Sequence, residues 1–93
     1  YFFRSKMRVY FKAGGRVQGV GFRWFVRDSA LALGLKGWVR NLPGGDVEGE
    51  AQGQAGKLER LLAELRDCRG PARVDELKHY EVPETADENF EIR

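Results

Sequence analysis

Four glycines crowd into the eight residues Gly14 to Gly21, between an alternating stretch and an amphipathic one. Glycine loses more backbone freedom on ordering than any other residue, so this density predicts a tight loop with positive-φ positions, and neither a strand nor a helix interior. The flanking residues set the local architecture. Before the loop, Val9, Phe11 and Ala13 alternate with Arg8, Tyr10 and Lys12, the period of a half-buried strand. After it, Phe22, Val26, Ala30 and Leu33 recur at helical spacing, and Gly34 supplies a stop. A strand that passes through glycines into a helix start can converge several backbone N–H groups on one point, where the partial positive charge of the helix adds to them. An anion of phosphate size is the matching guest.

The rest of the chain completes one domain. Leu35 to Asn41 alternates, Leu42-Pro43-Gly44-Gly45-Asp46 carries turn chemistry, and Val47 to Gln52 alternates again, which predicts a β-hairpin. Leu58, Leu61, Leu62 and Leu65 stripe a second helix between Ala55 and Asp67, closed by Gly70-Pro71. Between Ala72 and Val82 the apolar residues Val74, Leu77, Tyr80 and Val82 break strict alternation, predicting a strand with a bulge. Residues 83–89 read as a polar loop, and Phe90 with Ile92 as a short edge strand. The order β-α-β-β-α-β plus a short final strand defines an α+β, ferredoxin-like split βαβ fold: an antiparallel sheet with two helices on one face. Met7 is the only methionine and Tyr1 to Lys6 precede it without pattern, so the domain is expected over 7–93, with 1–6 an added or disordered leader.

Composition narrows the function classes. Ninety-three residues suit one domain and exclude a two-domain enzyme. Hydrophobic content of 42% with 32% charged residues argues against a disordered tail, and no apolar run reaches the roughly 18 residues of a membrane span. Cys68 stands alone and cannot form an intrachain disulfide, so a reducing, cytoplasmic compartment is expected. The net charge of +2 conceals a split: residues 1–45 carry nine basic side chains and one acid, residues 46–93 seven basic and thirteen acidic ones. An anionic partner for the front half follows.

Three motif readings compete for the loop. Gly14 and Gly19 have the glycine spacing of G-x-x-x-x-G-K-[ST], but Val20 and Gly21 replace its lysine and Ser/Thr. Gly19 and Gly21 could open G-x-G-x-x-G, yet Trp24 stands at its third glycine. Gly19-Val20-Gly21-Phe22-Arg23-Trp24-Phe25 loosely echoes an aromatic RNA-binding motif, which would need those aromatics on an inner strand instead of a helix start. An RNA- or anion-binding module without catalysis is therefore the rival reading. Arg23 follows the loop directly, and its fork of parallel N–H donors suits two phosphate oxygens. Asn41 ends a strand beside a turn, where asparagine is common without any catalytic task. His79 reads as a surface or satisfied histidine, Cys68 as packed, and Glu48 with Glu50 as a solvated strand face. No His, Cys, Asp or Glu grouping has metal-ligand spacing, so no metal or cofactor is expected. An enzyme with these residues needs a reaction served by an anion clamp and a placed water.

Taken together, Gly15-Arg16-Val17-Gln18-Gly19-Val20-Gly21-Phe22-Arg23, Gly34-Leu35, Gly37-Trp38-Val39-Arg40-Asn41, Gly45-Asp46-Val47-Glu48 and Gln52-Gly53 closely resemble an acylphosphatase. The match runs from about Val9 to Arg93, and its V-Q-G-V-x-F-R core is highly specific. The resemblance implies the ferredoxin-like fold and metal-independent hydrolysis of acyl phosphates to a carboxylate and inorganic phosphate. It places the phosphate-binding arginine on Arg23 and the water-orienting asparagine on Asn41, with the loop amides of Gln18, Gly19, Val20, Gly21 and Phe22 around the phosphoryl group. A small-molecule acyl phosphate is then the partner, inorganic phosphate the product and inhibitor, with no nucleic acid, no membrane and a monomeric state. The same domain also occurs at the front of larger hydrogenase-maturation proteins that handle carbamoyl phosphate, whose cysteine-rich zinc segments have no counterpart in these 93 residues. Gly49 departs from the β-branched residue frequent at its position, with an expected cost to its strand of up to about 1 kcal/mol.

Overall fold

A computed structural model describes residues 6–68 and 70–93. Seven elements follow one another: β1 (Lys6–Arg16), α1 (Phe22–Ala32), β2 (Lys36–Asn41), β3 (Val47–Gln54), α2 (Ala55–Arg66), β4 (Arg73–Val82) and β5 (Phe90–Ile92). They form one sheet of order β4-β1-β3-β2-β5, the ferredoxin-like arrangement expected. β1 pairs antiparallel with β3 from Lys6↔Gln54 to Ala13↔Val47 and antiparallel with β4 on its other side. β2 and β3 make the expected hairpin, closed where the Leu42 amide donates to the Asp46 carbonyl at 2.8 Å.

Three features differ from the sequence reading. The sheet is mixed, because β5 returns across the fold to pair parallel with β2, so the wholly antiparallel expectation is corrected. β1 runs through Gly14 and Gly15 to Arg16, since both glycines still find partners on β4 and the loop proper is only 17–21. β1 also begins at Lys6; the remainder of the expected leader, 1–5, lies outside the described residues. The bulge expected in the late strand lies at Asp75, where Gly14 opposes Glu76 and Gly15 opposes Val74.

Directly opposed antiparallel residues share a face, so Val9, Phe11 and Ala13 line up with Ala51, Gly49 and Val47 under the helices. There they meet Phe22, Val26 and Ala30 of α1 and the four-leucine stripe of α2, all buried. α1 packs chiefly on β2 and β5, and α2 on β3 and β4. Gly49 is no weak point in this core. A Cβ there would meet the Trp38 carbonyl oxygen and, at 2.6 Å, the Phe11 ring, so the missing side chain makes room for Phe11, which is itself fully buried.

The other face of the sheet is less solvated than its charges suggest. Residues 83–89 join β4 to β5 and are fastened to it: Gln52 exchanges two 2.8 Å hydrogen bonds with the Thr85 backbone, and Arg8 donates to Asp87 at 2.8 Å. Arg8 also donates to Glu50 at 2.6 Å and is only 2% exposed. Glu48 is buried and accepts from Tyr10 at 2.7 Å and from Arg40 at 2.6 Å. The solvated-face reading of Glu48 and Glu50 is therefore corrected: both are tied into an ionic lattice. Burial opposes the Glu48 carboxylate, but the Tyr10 and Arg40 hydrogen bonds and the charges of Arg40 and Lys12 outweigh it and lower its pKa. Burial, then the bond to Glu48, raises the Tyr10 pKa to about 12.

Candidate active site

The loop and the start of α1 form a set of open donors. Gly19 and Gly21 adopt φ of +75° and +79°, the left-handed region that only glycine enters without cost, and Gly21 is the N-cap of α1. Glycine brings no capping oxygen, and the first turn holds no acid. The helical ladder begins where the Phe25 amide donates to the Gly21 carbonyl at 3.1 Å. Among the described residues, the N–H groups from Gln18 to Trp24 donate to no backbone acceptor. These are the unpaired donors expected of a helix start, extended backward by the glycine turn. Nothing lies within 4 Å of where a Cβ would stand on Gly19 or Gly21, so it is their positive φ and not crowding that calls for glycine at these two positions.

Arg23 sits in the first turn, half-buried, and its guanidinium has no hydrogen-bond or ion-pair partner among the described residues. That contrasts with Arg8, Arg27, Arg40, Arg60, Arg73 and Arg93, each held by a carboxylate. A cation placed at the positive end of a helix without an anion is electrostatically unfavourable until an anion arrives.

Asn41 is the last residue of β2, opposite Val47, and is exposed. It shares side-chain parity with Gly37 and Val39, hence the helix side of the sheet, on which α1 also lies. Gln18 connects the two parts. Its Nε2 donates to the Leu42 carbonyl at 2.6 Å and to the Asp46 carbonyl at 2.8 Å, fastening the glycine loop to both ends of the turn that follows Asn41. The sequence placed Gln18 among the loop amides; its side chain is a strut, which loop spacing alone did not reveal. Val20 packs partly against the core and Phe22 is buried in it, so these two contribute backbone, not side chain, to the loop.

The aromatic residues of the RNA-like motif do not form a stacking surface. Phe22 is in the core, Phe25 is half-buried, and only Trp24 is exposed, with Arg27 over its ring at 4.6 Å; all three lie on α1 and none on a strand. His79 is exposed beside Arg66, as expected of a surface histidine, and Cys68 packs partly against the core, where burial raises its pKa.

The fold is an α+β domain of one small sheet, whose glycine loop and helix start present open donors between Arg16 and Arg23, both without a hydrogen-bond or ion-pair partner among the described residues. Comparison with known proteins gives the family. Residues 9–92 match the sequence profile of the family described as Acylphosphatase. An acylphosphatase of Koribacter versatilis is 49% identical over 79 residues, covering 84% of this chain and 72% of its own. An acylphosphatase structure from Coxiella burnetii superposes with a TM-score of 0.91 at 34% identity, covering 96% of this chain and 94% of that one. Full-length HypF, in a phosphate- and nucleotide-bound form, superposes with a TM-score of 0.81 at 28% identity over 95% of this chain but 12% of HypF. The chain belongs to the acylphosphatase family, enzymes that hydrolyse acyl phosphates to a carboxylate and inorganic phosphate.

Proposed function

We propose that this chain hydrolyses acyl phosphates with the phosphoryl group seated on the N–H donors of Gln18 to Phe22 and clamped by Arg23, while Asn41 holds the attacking water. The observation that carries this reading is the coincidence of unfilled backbone donors with a half-buried arginine in the same first helical turn, Arg23, that has no hydrogen-bond or ion-pair partner among the described residues; Arg16, at the other end of the loop, is likewise unpartnered but exposed. Equatorial phosphoryl oxygens gain charge in a loose transition state, and fixed donors stabilise it without reorganising. The water oxygen attacks phosphorus opposite the acyl oxygen. The P–O bond to the acyl group breaks, and the carboxylate leaves with the electron pair. Its conjugate acid has a pKa near ~4, so the leaving group needs no general acid at neutral pH. The water's proton passes to a phosphoryl oxygen. Asn41 contributes by holding the water in line, a proximity effect; Gln18 keeps the asparagine turn and the loop in fixed relation.

The same reading makes the enzyme a cytoplasmic monomer that uses neither nucleic acid nor membrane. It is supported by the helical placement of the aromatic residues and by the single cysteine. Among the described residues no helix is long and apolar enough to cross a membrane.

The test is hydrolysis of benzoyl phosphate in EDTA with inorganic phosphate as competitor. Turnover with competitive inhibition supports the reading. Absence of turnover together with salt-sensitive RNA binding would establish the binding-module rival instead.

A further inference from the structure

The end of the sheet remote from the glycine loop holds a second concentration of positive charge. A cavity of about 490 Å³ is lined there by Lys6, Lys36 and Lys57 together with Gln52 and Gln54. β2 runs from Lys36 at the cavity to Asn41 at the proposed active site, and α1 from the glycine loop to Leu33 of the cavity lining, so roughly 17 Å separates the two. No carboxylate lines it. Glu84 reaches Lys6 at 3.9 Å, whereas Lys36 and Lys57 have no ion-pair partner among the described residues. Three like charges around one concavity raise the potential inside it, and an anion relieves that cost.

Two helix ends meet at this cavity, and their donors and acceptors differ in availability. Near the end of α1 the Ala30 carbonyl accepts from the amides of Leu33 and Leu35, and the Leu31 carbonyl from that of Gly34. α2 starts here with Gln54 as N-cap, no capping side chain and no acid in its first turn. Its amides add oriented donors to the three ammonium groups. Gln52 is already committed to Thr85 and Arg8, so lysine charge dominates the lining. The volume lies in the range of small-molecule sites, about 300–1,000 Å³, and the absence of any lining aromatic leaves nothing for a ring to stack on.

We propose that this cavity is a second anion site, taking a small hydrophilic molecule that carries two or more phosphate groups. The proposal is independent of the hydrolytic reading, because it shares no residue with that site.

Pyrophosphate is the probe, titrated into the full chain at physiological salt and followed by amide chemical shifts. Saturable shifts at Gly34, Gly53, Gln54 and Gly56 are expected, in the parent and in Arg23→Ala alike, with affinity about tenfold above that of inorganic phosphate. The double substitution Lys36→Gln with Lys57→Gln should weaken this response about tenfold or more. Both lysines are exposed, so the fold should persist, and benzoyl phosphate hydrolysis should stay at the parental rate. Three results would each overturn the proposal: no saturable shift at these amides, equal affinity for phosphate and pyrophosphate, or unchanged affinity in the double variant.

Discussion

α1 and α2 both start without a capping side chain and without an acid in the first turn, yet the two starts are built differently. α2 begins directly where β3 ends, with Gln54 in extended backbone, so its free amides open into a broad cavity bordered by lysines. α1 is reached through two left-handed glycines, which curl the preceding amides round to join those of the first turn. Gln18 then fixes that curl to the turn after Asn41. A helix start supplies positive potential; the loop ahead of it decides whether the donors converge on one anion. Mobile ammonium groups suit binding, whereas a cradle fixed against a strand end suits catalysis, because fixed dipoles need not reorganise as charge develops.

Perturbing the two starts should separate them by the size and kind of effect. Arg23→Ala removes the only side-chain cation proposed at the first start, and kcat/KM for benzoyl phosphate should fall roughly 100- to 1,000-fold. Asn41→Ala should lower kcat about 100-fold and leave the inhibition constant for inorganic phosphate near the parental value. An equal loss of phosphate affinity would move Asn41 from placing water to binding substrate. Gly49 lies between the two ends and belongs to neither, so Gly49→Val should change stability instead of selectivity. Overpacking against Phe11 costs about 1–3 kcal/mol, a drop in Tm of roughly 4–8 °C per kcal/mol, measurable by thermal unfolding. A stabilised variant would instead favour the β-branched expectation.

Gln18→Ala cuts the strut while leaving every loop amide in place. It should lower kcat about tenfold with a smaller change in phosphate affinity, and Gln18→Glu, which cannot donate to the two carbonyls, should not restore it. The smallest effect concerns the ionic lattice on the open face. Hydrogen bonding from Arg8 lowers the Asp87 pKa against an opposing desolvation, and Glu48 is also lowered. Both folded pKa values lie below the unfolded ones, about 3.9 for Asp and 4.3 for Glu. Their stabilisation is present above those unfolded values and is lost as pH falls through the folded ones. Denaturant midpoints should thus hold from pH 7 to about 5 and decline below it, and Asp87→Asn should flatten that decline.

The sequence carried the order of elements because each has a clear period: alternation in β1 and β2, and the leucine spacing of α2. It carried the loop and the glycine turn because Gly19 and Gly21 mark backbone that other residues avoid. What escaped it depended on contacts between distant residues. The parallel pairing of β5 follows from where residues 83–89 are fastened, through Gln52–Thr85 and Arg8–Asp87, and no local pattern encodes that crossing. Glu48 and Glu50 have the polar alternation of a wetted face; only the register that sets Tyr10, Arg40 and Arg8 against them shows that they are held. Gly49 resembles a weak strand residue until Phe11 is placed across from it. Gln18 was visible as a loop residue, but its double bond to Leu42 and Asp46 needs the hairpin in position.

The most direct measurement follows the amide chemical shifts of Gln18 to Arg23 during titration with inorganic phosphate, alongside inhibition of benzoyl phosphate hydrolysis under the same conditions. A phosphoryl cradle at this helix start predicts saturable shifts at these amides, with a Kd equal to the competitive inhibition constant and weakened at least about tenfold in Arg23→Ala. Inhibition by phosphate with those amides unmoved, or with a Kd that does not match, would contradict it.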